Sequence, residues 1–206
     1  EVLEKYNKKI FILLNPSIED NFRKNIFNPA SLRTKKVTQQ CLGDKYLKKI
    51  KTYKNRDFDR ENLPESEIDK ITRKVDNRIK SQYRFQGYQE FSNKLIRLKD
   101  RLKTRPGAYE KRLNEFFSNS VLIIDEAHNI RPSDQKQKKV SSALNLLVEQ
   151  VRNMRILLLS ATPMFDNYRE IIHVINILLK NEKKPILLES DIFDKNGNFK
   201  INENGE

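Results

Sequence analysis

Short apolar runs alternate with longer amphipathic stretches along most of the chain. Residues 8–14, 120–124 and 155–159 are apolar runs with the length of buried strands. Between them, apolar residues return every three or four positions, which is the spacing of a helix with one buried face. Strands that alternate with helices predict an α/β fold, in which helices cover both faces of a parallel sheet.

Local signals place the remaining elements. Shorter strands are predicted over residues 36–41 and 83–87. Ser17 is expected to cap a helix that runs to residue 27. Pro64 is placed to open a helix whose apolar stripe is Ile68, Ile71, Val75 and Ile79. Further helices are predicted over residues 44–54, 88–103, 109–117, 135–152 and 167–180. The last of these helices is expected to bury a stripe formed by Ile171, Val174, Ile175 and Leu178.

The pattern also predicts how the chain is divided. Residues 1–54 and 119–182 share the alternation of strands and helices, whereas residues 55–118 are rich in charge and mainly helical in spacing. We therefore expect residues 55–118 to be a basic helical insertion between two parts of one α/β domain. Residues 183–206 are polar and predict a hairpin turning at Asn196-Gly197, or the start of a connection to a further domain.

Charge narrows the class of partner. The chain has 41 Lys and Arg against 28 Asp and Glu, a formal net charge of +13 and a pI near 9.7. Residues 44–118 hold 21 of the basic residues and 12 of the acidic ones, whereas residues 119–206 hold 12 of each. This distribution favours a nucleic-acid partner bound away from the neutral half. A solvated, lysine-rich surface is the alternative.

Cysteine content and hydropathy indicate the compartment. Cys41 is the only cysteine, so the chain can form no internal disulfide. No apolar run reaches the roughly 18 residues of a membrane span. An intracellular protein without a membrane partner is expected.

Polar side chains follow two of the predicted strands. Asp125-Glu126 come directly after residues 120–124, and Ser160-Ala161-Thr162 come directly after residues 155–159. The carboxyl ends of parallel strands meet at one edge of a sheet, where ligands of open α/β folds bind. Two adjacent carboxylates there are suited to a hard cation such as Mg²⁺ that carries nucleotide phosphates. The sequence therefore predicts a phosphate-handling site at this edge.

These residues resemble a known family. Asp125-Glu126-Ala127-His128 and Ser160-Ala161-Thr162 look like motifs II and III of the DEAH-type superfamily 2 helicases and translocases, and Asn15-Pro16-Ser17 is similar to the motif Ia region. The detail is similar to the helicase-like ATPases of large cytoplasmic DNA viruses, a group that includes the poxvirus early transcription factor small subunit and nucleoside triphosphate phosphohydrolase I. The residues that carry this closer likeness are 15–22, 87–91, 125–131 and 160–165.

The resemblance implies a RecA-like motor domain that hydrolyses ATP with Mg²⁺ to move on, or remodel, DNA or RNA. Asp125 would hold Mg²⁺, and Glu126 would orient the water that attacks the γ-phosphate. The coupling of ATP to nucleic acid would fall to His128, Ser160, Ala161 and Thr162. The nucleic-acid backbone would be contacted by Asn15, Pro16 and Ser17. For the viral group, RNA polymerase or other transcription proteins are implied partners, and the host cytoplasm or the virion is the implied location.

One part of the family's site is missing from the sequence. The five glycines, at positions 43, 87, 107, 197 and 205, form no Gly-x-x-x-x-Gly-Lys-[Ser/Thr] loop of the kind that cradles nucleotide phosphates. We therefore expect an incomplete RecA-like domain, with that loop upstream of Glu1 and a second motor domain after Glu206. By itself the chain is expected to be inactive. The alternatives are a non-catalytic transcription or scaffold subunit that retains the fold, and a packaging terminase ATPase.

Overall fold

The computed structural model describes residues 9–33, 47, 63–132, 134–162, 170–194, 198 and 200. The predicted strand at 36–41 lies outside these residues, as does the predicted helix at 44–54 apart from residue 47. The chain forms two compact units, which are Glu1–Leu14 with Phe85–Glu206, and Asn15–Arg84. The predicted insertion at 55–118 lies across this division, because residues 85–118 belong to the unit that contains the sheet.

The sheet has four strands, β1 (Ile10–Leu14), β2 (Tyr83–Gly87), β3 (Val121–Ile124) and β4 (Arg155–Leu158). Their order is β2-β1-β3-β4, and β1, β3 and β4 run parallel. Val121 is in register with both Ile10 and Arg155, so the three parallel strands end at a common edge. Helices lie on both faces of the sheet, which confirms the predicted α/β class.

The described residues of the same unit form five α-helices, α3 (Tyr88–Leu102), α4 (Ala108–Phe117), α5 (Gln135–Gln150), α6 (Glu170–Asn181) and α7 (Glu189–Ile192). One buried cluster joins alternate residues of β1 and β3 to α3, α4, α5 and α6. Each fully buried Leu or Phe in such a cluster contributes about 1.5–3 kcal/mol relative to leaving it exposed. The cluster therefore fixes the strands whose ends carry the polar residues.

The second unit contains α1 (Glu19–Ile26) and α2 (Glu65–Gln82). The predicted stripe of α2 is confirmed, since its four members are buried: Ile68, Ile71, Val75 and Ile79. The predicted cap at Ser17 is wrong. A 3-10 turn, Pro16–Ile18, precedes α1, and the Asn15 side chain accepts a hydrogen bond from the Ser17 main-chain nitrogen at 3.2 Å. Asn15 is therefore the capping residue, because Pro16 fits the first position of the turn.

The stripe predicted for α6 is also wrong in part. The buried residues of α6 are Ile172, Val174 and Ile177, whereas Leu178 is 38% exposed. Residues 171–179 are apolar at seven of nine positions, so the sequence offers several possible faces. The contacts of α6 with α5 and β4 select the face that is buried.

The end of the described chain folds back on itself beyond α7. The Lys200 main-chain nitrogen donates to the Ile192 carbonyl at 2.8 Å, and that of Asp194 donates to the Asn198 carbonyl at 2.9 Å. The turn predicted at Asn196-Gly197 lies outside the described residues. Among the helices that the structure describes, none is long and apolar enough to cross a membrane.

Candidate active site

The acid pair begins a loop that continues the sheet's hydrogen bonding. Residues 125–131, named here the acid loop, follow β3 directly. The Asp125 nitrogen donates to the Leu13 carbonyl at 2.9 Å, and the Ala127 nitrogen donates to the Leu159 carbonyl at 2.8 Å. Main-chain bonds to both neighbouring strands thus fix the loop at the carboxyl edge of β3. Asp125 and Glu126 are both half-buried there.

Glu126 has an unusual backbone conformation. Its φ of 50° and ψ of 57° lie in the left-handed region, which is sterically unfavourable for a residue with a Cβ atom. The residue marks the point where the extended strand becomes the 3-10 turn Ala127–Ile130. Strain of this kind persists only where the surrounding structure enforces it, and it is concentrated at functional sites.

His128 brings the two predicted polar strand ends together. Its Nδ1 atom lies 3.2 Å from a carboxylate oxygen of Glu126 and 3.2 Å from Oγ of Ser160. An ionised carboxylate only accepts hydrogen bonds, so this geometry favours the tautomer with hydrogen on Nδ1. The side chains named in the sequence at 126, 128 and 160 therefore form one connected group.

The loop after β4 is more open than the acid loop. Residues 159–162, named here the hydroxyl loop, include Ala161 and Thr162, which are both exposed. The Leu159 nitrogen donates to the Ile124 carbonyl at 2.9 Å, and the Thr162 nitrogen donates to Oγ of Ser160 at 3.3 Å. Ser160 thus contacts His128, whereas Ala161 and Thr162 are exposed to solvent.

Tyr88 is a member of the site that the sequence pattern did not identify in this role. Its hydroxyl donates to the main-chain carbonyl of Asp125 from the first residue of α3. Burial, followed by the negative charges of Asp125 and Glu126, raises the pKa of Tyr88. The phenol is therefore protonated at neutral pH and available as a hydrogen-bond donor. No local signal at position 88 distinguishes this role from packing in the core.

The acid loop is also held by contacts with α6, which involve Glu170 and His173 of the helix and Arg131 of the loop itself. Arg131 forms an ion pair with Glu170, and its Nε atom donates to the His128 carbonyl at 2.8 Å. Nε2 of His173 lies 3.1 Å from the Ile130 carbonyl. The sequence pattern does not indicate the contacts of Arg131 with Glu170 and of His173 with Ile130, which join residues 39 and 43 positions apart.

The third predicted motif follows β1. Asn15, Pro16 and Ser17 come directly after Leu14 and are exposed. They belong to the compact unit Asn15–Arg84, and the structure describes the capping bond of Asn15 there. Exposed residues at a strand-to-turn junction are accessible to a large ligand.

The donor groups of the site fit one hard cation but do not form a complete metal cage. Mg²⁺ in nucleotide sites is held through one or two carboxylates, with phosphate and water as the other ligands. Asp125 supplies a carboxylate of this kind at the strand end. Among the described residues, no group of three or more His, Cys, Asp or Glu is clustered for metal binding. The arrangement fits a cation brought with phosphates better than a resident metal.

Comparison with known proteins identifies the family. Residues 34–206 match the SNF2-related domain model. "Putative helicase 087L" of Invertebrate iridescent virus 3 is 28% identical over 201 residues, which is 96% of this chain and 16% of that protein. "Putative ATP-dependent RNA helicase R563" of Acanthamoeba polyphaga mimivirus is 30% identical over 183 residues, covering 88% of this chain and 26% of that protein.

A shorter match joins the chain to "Putative helicase 009L" of Frog virus 3, at 28% identity over 62% of this chain and 12% of that protein. The chain thus spans well under a third of the length of these relatives. No solved structure matches it. Because the domain model covers most of the chain and includes both the acid loop and the hydroxyl loop, the protein belongs to the SNF2-related domain family, with helicase-like viral relatives.

Proposed function

We propose that this chain is part of an ATP-dependent nucleic-acid helicase or translocase that hydrolyses ATP with Mg²⁺. The observation that carries the proposal is the contact of His128 with both Glu126 and Ser160, each at 3.2 Å. This contact links the carboxylate of Glu126, which is suited to hydrolysis, to the end of β4. There the hydroxyl of Ser160 can respond to a bound nucleic acid. Membership of the SNF2-related family and the viral helicase relatives support the same function.

The two acids have different tasks in this proposal. Asp125 holds Mg²⁺ through its carboxylate, directly or through water. The bound ion supplies neutralisation of the phosphate charge. Glu126 accepts a hydrogen bond from the attacking water and orients it. Because phosphoryl transfer needs positioning more than covalent chemistry, the fixed main chain of the acid loop is itself part of the catalytic arrangement.

The coupling role is assigned to the hydroxyl loop and His128. A polymer that displaces Ser160, Ala161 or Thr162 alters the His128–Ser160 contact. His128 then transmits the change to Glu126, because the same Nδ1 atom contacts both partners. ATP turnover would in this way depend on the bound nucleic acid.

Nucleic-acid binding is assigned to Asn15, Pro16 and Ser17 together with the basic surface of the chain. The formal net charge of +13 supports binding to a polyanion. Lys and Arg that neutralise phosphates make the affinity fall steeply as salt rises. The substrate is DNA or RNA. The resemblance to the helicase-like ATPases of large cytoplasmic DNA viruses makes RNA polymerase or other transcription proteins, in the host cytoplasm or the virion, the proposed partners.

The test uses a longer protein that contains this chain and a phosphate-binding loop, since the 206 residues are expected to be inactive by themselves. Glu126→Gln should reduce ATP turnover by at least about a hundredfold while a fluorescent ATP analogue still binds. Glu115→Gln, on the exposed surface of α4, is the matched control and should turn over ATP like wild type. Unchanged turnover in Glu126→Gln would remove Glu126 from the mechanism. A wild-type protein that binds nucleic acid without hydrolysing ATP would favour the scaffold alternative.

A further inference from the structure

The acid loop is held through its main-chain carbonyls. Tyr88 donates to the carbonyl of residue 125, Arg131 to that of residue 128, and His173 to that of residue 130. A carbonyl can only accept, so the Nε2 atom of His173 must carry hydrogen for this contact. Side-chain bonds to carbonyls leave the carboxylates of the loop available for other partners while they restrict the backbone that positions them.

Arg131 has two roles in this arrangement. Its Nε atom binds the His128 carbonyl at 2.8 Å, and its Nη1 atom pairs with the Glu170 carboxylate. The two side chains are only 13% and 24% exposed, so solvent screens this pair less than a surface pair. The planar guanidinium presents its donors in a fixed fork, which allows one side chain to bind both acceptors at once. A lysine ammonium has no such fixed geometry.

Glu170 is the first residue of α6, and α6 therefore reaches the acid loop at two points. Glu170 binds Arg131, and one turn further along the helix His173 binds the Ile130 carbonyl. The same Nε2 atom of His173 also lies 3.2 Å from Oγ of Ser141 on α5. A displacement of α6 relative to the sheet therefore pulls on the loop that carries Asp125 and Glu126.

We infer that Arg131 is a positioning residue that, through Glu170, makes the geometry of the acid pair depend on the position of α6. The inference rests on the proposed function, because it assigns a regulating element to the same site. The alternative is an ion pair that only stabilises the fold. A matched control exists on the same helix, since Lys180 of α6 pairs with Glu149 of α5 at 2.8 Å.

The first experiment compares steady-state ATP hydrolysis by the longer protein in wild type, Arg131→Gln, Glu170→Gln and the double variant. A displaced catalytic group lowers turnover by about 10- to 100-fold, so kcat should fall in both single variants while KM for ATP changes less than about twofold. The double variant should be no slower than Arg131→Gln, because both substitutions break one interaction. Arg131→Lys should not restore kcat, since lysine lacks the fork.

The control and a second readout separate positioning from stability. Lys180→Gln should lower the midpoint of thermal unfolding while leaving kcat unchanged. Amide hydrogen exchange over residues 125–131 should speed up by about tenfold or more in Arg131→Gln but not in Lys180→Gln. Equal exchange rates in wild type and Arg131→Gln, or an unchanged kcat, would overturn the inference. Faster exchange in a protein whose wild type hydrolyses no ATP would instead refute the proposed function and leave the loop's attachment to α6 established.

Discussion

Two neighbouring strands of this sheet end in loops of very different character. The acid loop after β3 is half-buried, and three side chains hold its carbonyls at residues 125, 128 and 130. The hydroxyl loop after β4 is more exposed. Its Ser160 side chain contacts His128 of the acid loop. Leu122 of β3 is fully buried, whereas Leu157 of β4, which is in register with Ile123, is 48% exposed.

In the proposed function, this difference lets one sheet edge serve two purposes. Groups that orient a reacting water must stay within a fraction of an ångström of their positions. Groups that respond to a polymer must be able to move. The β3 edge has the fixed environment and the β4 edge the open one. His128 links the side chains of the two loops, beside the main-chain bond from Ala127 to Leu159.

Truncation of one leucine on each strand, the buried Leu122 and the half-exposed Leu157, is the strongest test of this comparison. Leu122→Ala should lower the free energy of unfolding by about 2–5 kcal/mol, because it leaves a cavity in a closed core. Leu157→Ala should change it by less than about 0.5 kcal/mol, since the side chain is already half in solvent. Urea denaturation of both variants gives the two values. Equal losses would show that β4 is as firmly packed as β3.

Removal of one hydroxyl tests the support of the acid loop by α3. Tyr88→Phe should destabilise the protein by about 1–3 kcal/mol, because the partly buried Asp125 carbonyl loses its donor. The control is Tyr109→Phe on α4. The Tyr109 hydroxyl is buried and has no hydrogen-bond partner among the described residues, so its removal should be neutral or stabilising. If Tyr88→Phe and Tyr109→Phe shift the urea midpoint by the same amount, Tyr88 has no special role in supporting the acid loop.

Substitution of Glu126, whose backbone is in the left-handed region, should have a smaller effect on stability and of the opposite sign. Glu126→Gly should raise the free energy of unfolding by about 0.5–1 kcal/mol. Glycine adopts the left-handed region without steric cost, and this gain exceeds the loss from its greater entropy in the unfolded chain. Asn153→Gly, at a residue with φ of 55°, should gain less because asparagine tolerates this region better. Thermal unfolding measures both. A destabilised Glu126→Gly would mean that the carboxylate contributes more to folding than its backbone costs.

The smallest expected effect is a pH dependence from the α6 side of the acid loop. Burial, with lesser contributions from the charges of Lys180 and Arg131, lowers the pKa of His173 below its ordinary value of 6.5. The folded protein therefore holds His173 neutral, while the unfolded chain takes up a proton as the pH falls through about 6.5. This contribution to stability is complete above that pH and is lost below it. The loss levels off once the pH passes the folded pKa. His173→Gln should flatten the curve between pH 7 and pH 5 when unfolding is measured in urea.

The sequence predicted the parts of the fold that local pattern controls. Short apolar runs identified β1, β3 and β4, and the helical spacing identified α2 through its buried stripe. The same rule failed in α6, where apolar residues occur on every side and packing decides which are buried. The predicted helix cap at Ser17 was wrong because a 3-10 turn capped by Asn15 precedes α1. Asparagine and serine are both good caps, and only the backbone path selects between them.

The site shows a similar division. Residues 125–128 and 160–162 could be named as candidates because each motif is contiguous in the sequence and follows a strand. The side chains that support these residues could not be identified from the sequence, because the bonds from Tyr88, Glu170 and His173 span 37, 39 and 43 residues. Contacts of that separation depend on how helices pack on the sheet. A single sequence holds no local signal of such packing.

The position of β4 has a practical consequence. It is the last strand in the sheet order, and among the described residues only its edge against β3 is paired. An unpaired edge that carries a half-exposed leucine is a template for strand addition between molecules. Concentrated solutions of the 206-residue chain should therefore self-associate through β4, and a charged residue in place of Leu157 should keep them monodisperse in sedimentation velocity.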